Sequence, residues 1–587
     1  MASLNKKLLH AKHSKHAIRL RALRQKELET RQKIEAASAA VDAQVASSDN
    51  ASEAIRDGSV NKSTAIISIC VVISRITGFF RTWIMAFAFG ATALASAYQV
   101  ANNLPSMLYE LVAGGILVTA FLPVYVTVKK RLGQEASNKY ASNLFTIVVL
   151  FLAIISVLCA LFPQVVIYTQ SFWSDQEQMG AAVFFFQFFA IQLLFYGAGA
   201  IISGLLNANR DYLWASLAPA ANNIIVIGAF IAYALTVSGD PVLAMYFVAL
   251  GNPLGVFMQL VLQAPALRKN GIKLRPRIDF KDPGLKDTLS LGIPALFVMI
   301  CSFIVVSVQT AAAYSFADNG PSVLAYARLW FTLPYAFLAV PITTSMFTEL
   351  AEMQAEGNMD GVKHGIIACS KQIVFFMFPM TVFLVVFAAP LITLYLAGEF
   401  SADAIEIISS YLMVLATALP FYGVNTYLQK IFSSLRKMKA FAGINAIAGG
   451  VQVILTVLAS VFAGFGIVGI NAIAWAEIIF YILADVLLFA YLNKLLGHLG
   501  VVSVVKSAFR GILLGGAGSL VSWSILQVLT FVNVPYTSSI VWALVAIIVA
   551  GVPGLLVTFG AALRAKFVEA AFLERIIRRL KNKLKRK

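Results

Sequence analysis

The chain has 587 residues, of which 59% are hydrophobic and 13% charged, and its mean hydropathy is +0.80. This composition lies outside the range of soluble globular domains and predicts a protein embedded in lipid. The net charge of +18 would suggest nucleic acid if it lay on one soluble face. The basic residues instead concentrate in the two tails and in the short connections between apolar runs, a distribution that orients membrane proteins. We therefore expect no nucleic-acid partner.

The first 62 residues contain no apolar run. The basic stretch from Lys6 to Lys33 is followed by a polar Ala/Ser/Asp segment rather than by the short apolar core of a signal peptide. We predict that residues 1–62 form a basic and polar cytoplasmic tail that stays attached.

After this tail the sequence falls into apolar runs of about 20 residues or more, the length that a helix needs to cross the hydrocarbon layer. We predict about fourteen transmembrane helices. They lie near 63–89, 96–128, 139–162, 180–207, 213–237, 242–267, 285–316, 322–352, 362–396, 402–432, 438–463, 467–494, 501–531 and 538–563.

Basic residues occur in every second connection, which supports the numbering and alternating direction of the predicted helices. They follow the even-numbered helices, for example at Lys129, Arg210 and Arg436, whereas the connections 163–179 and 317–321 contain neither Lys nor Arg. We therefore expect a multi-pass protein of the bacterial plasma membrane with both termini in the cytoplasm.

A weak internal repeat divides the chain. The turn with Arg210 resembles the turn with Arg436, and the run Tyr98 to Pro105 resembles Tyr326 to Pro334. Both copies have the same order, so the repeat is parallel, as in transporters whose two bundles face a cavity. We predict an all-α membrane protein built from a first six-helix lobe at 63–267, a cytoplasmic linker at 268–284, a second six-helix lobe at 285–496, two further helices at 497–563 and a basic tail at 564–587.

The C-terminal tail has the pattern of a basic amphipathic helix. Its apolar stripe includes Leu573 and Leu580, with Lys and Arg around it. Anionic lipid is the expected partner of such a helix. An ordinary charge cluster that stops and orients the last span explains the pattern equally well.

Two arginines, Arg75 and Arg81, lie inside the first apolar span. Each costs about 2.5–3.5 kcal/mol to insert, so we expect them to face a wet cavity or a negative partner. A structural pair with carbonyl groups or with an acid such as Glu110 or Glu477 is the alternative. Arginine suits a pyrophosphate ligand because its fork donates two hydrogen bonds and keeps its proton.

Further candidate substrate-binding residues are Ser74 in helix one, Asn102 and Asn103 in helix two and Arg328 in helix eight. Helices two and eight are polar and interrupted by proline. If pseudo-symmetry brings Arg328 toward the cavity, three cations would surround one pyrophosphate, and their repulsion would hold the empty cavity open. Alternatively, Arg328 snorkels to the outer interface and anchors its helix.

The sequence lacks the patterns of an enzyme or a metalloprotein. The four cysteines have no C-x-x-C spacing, and the chain contains no Gly-Lys-Ser/Thr loop and no Ser-His-Asp candidate. We therefore expect no catalysis, no cofactor and no resident metal.

The polar motif of helix one is similar to a motif of a known transporter family. The run Ser74-Arg75-x-x-Gly78-Phe79-x-Arg81, with Gly292-x-Pro294-Ala295 and Leu333-Pro334 later in the chain, resembles the MurJ/MviN lipid II flippases of the multidrug/oligosaccharidyl-lipid/polysaccharide exporter superfamily. The likeness covers roughly residues 63–563. The form around Asn102-Asn103 is similar to the actinobacterial branch.

The resemblance implies two six-helix lobes around a cationic cavity, with the last two helices forming a groove for a polyprenyl tail. It implies that the protein moves undecaprenyl-pyrophosphate-linked disaccharide-pentapeptide from the inner to the outer leaflet. The expected partners are this substrate, membrane lipids and cell-wall synthesis proteins. By motif match, Arg75 and Arg81 would be cavity arginines, and the membrane potential or a sodium gradient would drive transport.

The sequence departs from familiar members at charged positions. Thr82 and Ser96 stand where relatives have aspartate, Gly114 stands where they have glutamate, and Arg328 lies one position from the family's arginine. The alternatives are a flippase for another polyprenyl-linked glycan, a related exporter, or a non-transporting scaffold for cell-wall enzymes.

Overall fold

The structure is a computed structural model that describes residues 58–114, 121–174, 176–570 and residue 574. Ile67–Gln354 and Asn358–Lys587 contribute to one compact unit, and the described residues 58–66 and 355–357 belong to a second unit. The predicted N-terminal tail up to residue 57 and nearly all of the predicted amphipathic tail after residue 570 lie outside the described residues.

All regular elements in the described part of the chain are helices. The α-helices are α1 (Gly58–Phe89), α2 (Ala93–Tyr109), α3 (Leu122–Leu161), α4 (Pro163–Ser171), α5 (Gln176–Phe189), α6 (Gln192–Ala208), α7 (Tyr212–Thr236), α8 (Pro241–Lys269), α9 (Pro283–Tyr314), α10 (Gly320–Pro334), α11 (Val340–Ala355), α12 (Met359–Thr393), α13 (Ala402–Ala416), α14 (Leu419–Ser434), α15 (Met438–Ala463), α16 (Asn471–Leu496), α17 (Val502–Phe531) and α18 (Ile540–Arg564). Two π-helical segments, Glu110–Gly114 and Tyr335–Ala339, follow α2 and α10, and a 3₁₀ turn occupies Val568–Ala570.

The predicted multi-pass helical architecture is confirmed. Within the described residues, 11 helices are long and apolar enough to cross a membrane, and the number rises to 13 if two bent helix pairs each form one span. These pairs are α5–α6, bent by 44°, and α13–α14, bent by 52°. The predicted second span includes residues 115–120, which lie outside the described residues, so the number fourteen stays a prediction.

The predicted connection at 163–179 is wrong in one respect, because it contains the short helix α4. Pro163 opens this helix, where its fixed φ angle suits the first turn and no N–H is needed. The predicted connection between helices two and three is only a kink in α3 at Gly133, whose φ of 82° and ψ of −178° are accessible essentially to glycine alone.

The parallel repeat is visible in the backbone. Arg210 and Arg436 both adopt a left-handed conformation, with φ of 61° and 55°. The residue after each of them closes the preceding helix with a matching bond: the Asp211 N–H donates to the Leu206 carbonyl oxygen (3.0 Å), and the Lys437 N–H to that of Phe432 (2.8 Å). Both turns are Schellman-type helix ends, so the two copies share local geometry as well as sequence.

Other irregular features recur in both repeats. Each repeat has one broken span, α5–α6 in the first and α13–α14 in the second. Each also has a π-helical segment directly after the proline-containing helix, α2 or α10. Such segments often mark functional positions in helices. These recurring features agree with the two-repeat plan, whereas the predicted lobe boundaries stay a prediction.

The predicted linker at 268–284 lies along α3. Asn143 makes a two-way contact with it, since its Nδ2 donates to the Asp279 carbonyl oxygen (2.8 Å) and its Oδ1 accepts from the Asp279 N–H (2.7 Å). Ser142 Oγ likewise donates to the Lys273 carbonyl oxygen (3.2 Å) and accepts from the Arg275 N–H (3.1 Å). The side chains of α3 therefore satisfy backbone groups that a loop would otherwise present to water.

The two appended helices pack through small residues. A Cβ atom at Gly515 of α17 would lie 2.6 Å from Cα of Pro379 in α12, and one at Gly518 would overlap Oγ1 of Thr558 in α18. Ser522 Oγ donates to the Ala550 carbonyl oxygen across the same interface (2.9 Å). Close backbone approach of this kind is how membrane helices gain packing energy without a hydrophobic driving force.

We predict that Gly518→Ala destabilises the protein by about 1–3 kcal/mol, because the added methyl group forces α17 and α18 apart. Gly516→Ala is the matched control, since a Cβ there meets nothing within 4 Å. Thermal unfolding of both variants in detergent tests this. Equal midpoints for the two variants would show that the contact does not hold the helices together.

Candidate substrate cavity

One end of the bundle joins the two repeats, at the turns after α1 and before α10. We call it the closed end. Hydrogen bonds connect the two repeats here. Side chains donate to carbonyl oxygens in three of them: Trp83 Nε1 to Leu394 (2.9 Å), Tyr326 Oη to Gly90 (2.8 Å) and Asn319 Nδ2 to Ala91 (2.9 Å). Main-chain N–H groups donate in two more: Glu399 to the Phe87 carbonyl oxygen (3.0 Å) and Ser322 to Ser96 Oγ (3.1 Å).

Two glycines allow the backbones to meet at the closed end. Gly90 and Gly398 have φ of 65° and 60°. A Cβ at Gly90 would overlap the Glu399 carbonyl oxygen, and one at Gly398 would overlap that of Phe87. Glycine is required at both positions by conformation and by space. Because backbone meets backbone at these two glycines, the geometry of the closed end there does not depend on flexible side chains.

A cavity of about 520 Å³, here called the main cavity, lies between α2, α9, α10, α14, α15 and α16. Its polar lining includes Gln99, Asn103, Gln309, Arg328, Asn425, Gln429, Asn445, Gln452 and Glu477. The volume is typical of sites for small molecules or portions of larger ligands. Most of this wall belongs to the second repeat, with α2 contributed by the first.

Arg328 lines the main cavity and forms an ion pair with Glu477. Its Nη1 donates to Oε1 at 2.5 Å and its Nη2 donates to Oε2 at 2.8 Å, a two-pronged arginine–carboxylate geometry. Gln309 Nε2 also donates to Glu477 Oε2 (2.8 Å). The Glu477 side chain is 4% exposed and that of Arg328 is 35% exposed, so the guanidinium keeps contact with the cavity.

Arg328 does not snorkel to the bundle end. It lies eight residues after Gly320, the first residue of α10, and Arg81 lies eight residues before Phe89, the last residue of α1. At 1.5 Å per residue both are about 12 Å from the closed end. Arg328 therefore lies at a depth similar to that of Arg81, but its charge is neutralised by Glu477. Repulsion among three unpaired cations does not describe this cavity.

The structure does not bring Arg75 and Arg81 into the lining of the main cavity. Arg75 shares a helix face with Phe79, which packs edge-to-face on Trp330 of the second repeat at 5.7 Å. Arg81 lies near Tyr98 of α2 and Tyr196 of α6, both in the first repeat. The two arginines diverge because residues six apart lie on different helix faces.

The remaining candidate residues also lie in different parts of the structure. Asn103 lines the main cavity and Asn102 does not. Ser74 lies beside α7, where its carbonyl oxygen accepts a hydrogen bond from Asn223 Nδ2 (3.3 Å). Substrate binding by Arg75, Arg81, Ser74 and Asn102 stays a prediction.

Sequence reasoning missed the role of Glu477. It was named as a partner for the first-helix arginines, but it pairs with Arg328, 149 residues away along the chain. The carboxyl group at membrane depth was the available signal, since it needs a cation or hydrogen-bond donors. Within the described residues, no group of three or more His, Cys, Asp or Glu side chains is arranged to hold a metal ion.

We predict that Glu477→Gln lowers the free energy of unfolding by about 1–3 kcal/mol, because it removes a charge-assisted pair from a mostly buried position. A double-mutant cycle with Arg328→Gln should show positive coupling. Glu135→Gln is the control, since Glu135 pairs with Lys139 on an exposed surface and should cost less than 0.5 kcal/mol. Zero coupling in the cycle would rule out a stabilising pair.

Comparison with known proteins gives a consistent result. The family model for the lipid II flippase MurJ matches residues 85–545. The probable lipid II flippase MurJ of Rhizobium meliloti (strain 1021) is 27% identical over 444 residues, covering 74% of this chain and 81% of that protein. The lipid II flippase MurJ of Burkholderia cenocepacia is 26% identical over 366 residues, covering 61% and 69%.

Solved structures share the fold. A structure of the lipid II flippase MurJ in an inward closed conformation superposes with a TM-score of 0.68 at 20% identity, over 85% of this chain and 99% of that one. An inward-facing multidrug resistance MATE transporter of the MOP superfamily gives 0.62 at 15% identity, over 74% and 98%. Because the family model spans well over half of the sequence, the chain belongs to the lipid II flippase MurJ family.

Proposed function

We propose that this protein moves a lipid-linked peptidoglycan precursor, undecaprenyl-pyrophosphate-linked disaccharide-pentapeptide, from the inner to the outer leaflet of a bacterial plasma membrane. Membership of the MurJ family supports this assignment. The geometry that supports it best is a polar cavity beneath a closed end at which the two repeats meet through main-chain groups.

Alternating access accounts for this arrangement. The main cavity extends from Arg328, about 12 Å below the closed end, to Gln429, five residues before the opposite end of α14. Basic residues at Arg210, Arg436 and Lys437 favour a cytoplasmic location for that opposite end. The structure then corresponds to a state that receives substrate from the inner leaflet, and opening the closed end would release it outward.

The residues have different roles in this proposal. Arg328 donates to one pyrophosphate oxygen from inside the cavity while Glu477 holds its guanidinium in place. Asn103 lies on the facing helix α2 and contacts the same ligand. Arg75 and Arg81 act in another state or along the entry path. Both termini are cytoplasmic, and the membrane potential or a sodium gradient drives the cycle.

A related export function is the second candidate. The superposition with a MATE transporter supports it at the level of fold. A flippase for another polyprenyl-linked glycan would use the same cavity and the same closed end. The lipid that the purified protein transports distinguishes these candidates, and a chain that transports none would fit the scaffold alternative.

A reversible cross-link at the closed end tests the proposal. In a background where the four native cysteines are replaced by alanine, Ser96→Cys with Ser322→Cys places thiols across the repeats, since these residues already share a hydrogen bond. We expect oxidation to abolish movement of lipid II across proteoliposome membranes, because the closed end cannot open. Reduction should restore it.

Ser203→Cys with Gln263→Cys is the control. These side chains are also hydrogen-bonded (2.8 Å), but both lie in the first repeat, so their cross-link should leave transport intact. Transport at the unmodified rate through the oxidised Ser96–Ser322 pair would contradict alternating access at this end. No lipid II movement by the reduced protein would contradict the assigned substrate.

A further inference from the structure

Three side-chain amides of α14 and α15 in the wall of the main cavity make no hydrogen bond to another helix. They are Gln429 of α14 and Asn445 and Gln452 of α15. Asn445 Nδ2 donates to the Phe441 carbonyl oxygen of its own helix (3.0 Å), which leaves its Oδ1 free. Neither end of the Gln429 amide or of the Gln452 amide has a hydrogen bond among the described residues. We call these three side chains the amide wall.

Two other amides of the cavity have a structural role. Gln309 donates to Glu477 (2.8 Å), and Asn425 Nδ2 donates to Asp485 Oδ1 (3.1 Å). These are the interhelical hydrogen bonds expected of polar residues in membrane bundles. The amide wall makes no such bonds, although its residues lie on the same or neighbouring helices. Interhelical stabilisation therefore does not explain it.

Gln452 is the clearest case. It is 3% exposed and lies 14 residues after Met438, about 21 Å along α15, near the middle of a bilayer-length helix. An unpaired amide at this depth costs free energy unless water or a ligand meets it. Asn445 lies two helical turns away on the same face. The amide wall thus forms a polar stripe from one end of the cavity to its middle.

The chemistry of the amide wall fits a neutral ligand rich in hydroxyl groups. Each carboxamide offers donors and an acceptor without charge, which matches the donor and acceptor character of neighbouring sugar hydroxyls. Tyr422 and Phe441 line the same cavity, and their rings provide flat surfaces for the apolar faces of a sugar ring. The Arg328–Glu477 ion pair lines the same cavity, and its cation suits a phosphate.

We propose that Gln429, Asn445 and Gln452 form a carbohydrate-binding wall that recognises the sugar portion of the transported lipid head group. This inference rests on the proposed function and adds to it a specificity site. The pyrophosphate would lie near Arg328, and the sugars would extend along α14 and α15 toward the opposite end. Recognition then depends on hydrogen bonds that a sugar-free lipid cannot make.

The test compares three lipids with the same undecaprenyl pyrophosphate: one without sugar, one with a single sugar and one with the disaccharide. Binding to the full-length protein in detergent is measured for Gln429→Met, Asn445→Leu and Gln452→Met, which keep side-chain volume. We expect each change to weaken binding of the disaccharide lipid about fivefold, the value of one ordinary hydrogen bond, and to leave the sugar-free lipid unaffected.

Gln259→Met is the matched control, because Gln259 lines a separate cavity of about 200 Å³ in the first repeat. Equal losses for all three lipids, or no loss for any of them, would overturn the amide wall as a sugar site while leaving the proposed function in place. A wild-type protein that binds none of the three lipids would instead overturn the proposed function.

Discussion

A polar group buried in the hydrocarbon layer costs free energy unless it finds a partner, and this constraint shapes the centre of the molecule. Arg328, Glu477 and Gln309 satisfy one another in a single cluster that joins α9, α10 and α16. Because part of the Arg328 side chain stays exposed to the cavity, the cluster both holds three helices together and leaves a cation accessible from the cavity. The lining of the cavity pairs one cation with one carboxylate, so the proposed substrate binding would depend on the placement of Arg328 rather than on a strongly positive field.

The closed end joins the two similar repeats, and in the proposed transport cycle it must open and close again. Each of its hydrogen bonds has at least one main-chain partner, for example the carbonyl oxygens of Phe87 and Gly90. Gly90 and Gly398 permit this approach, since a Cβ atom at either position would overlap the facing backbone. Small polar side chains such as Ser96 complete the contact. Hydrogen bonds of this kind exchange readily for water, each with a modest net free energy. A closed state built from them is stable yet able to open when ligand binding favours another arrangement.

Much of the fold follows from hydropathy because helix length and apolar composition are fixed by the bilayer. The span 438–463 coincides with α15, and the repeat in the Arg210 and Arg436 turns reappears as matching left-handed residues. The sequence could not show which helix faces meet. Arg75 and Arg81 belong to one motif but point to different neighbours, and Glu477 meets Arg328 only through tertiary packing. Helix α4 was missed because its nine residues are too few to form an apolar span.

The central claim is that the chain carries a lipid-linked peptidoglycan precursor from the inner leaflet to the outer one. Its most direct test is depletion of the protein in living cells, followed by measurement of which polyprenyl-linked intermediate accumulates and in which leaflet. The account predicts accumulation of the disaccharide-pentapeptide lipid in the inner leaflet. An unchanged distribution of that lipid, with accumulation of a different glycan carrier, would contradict it.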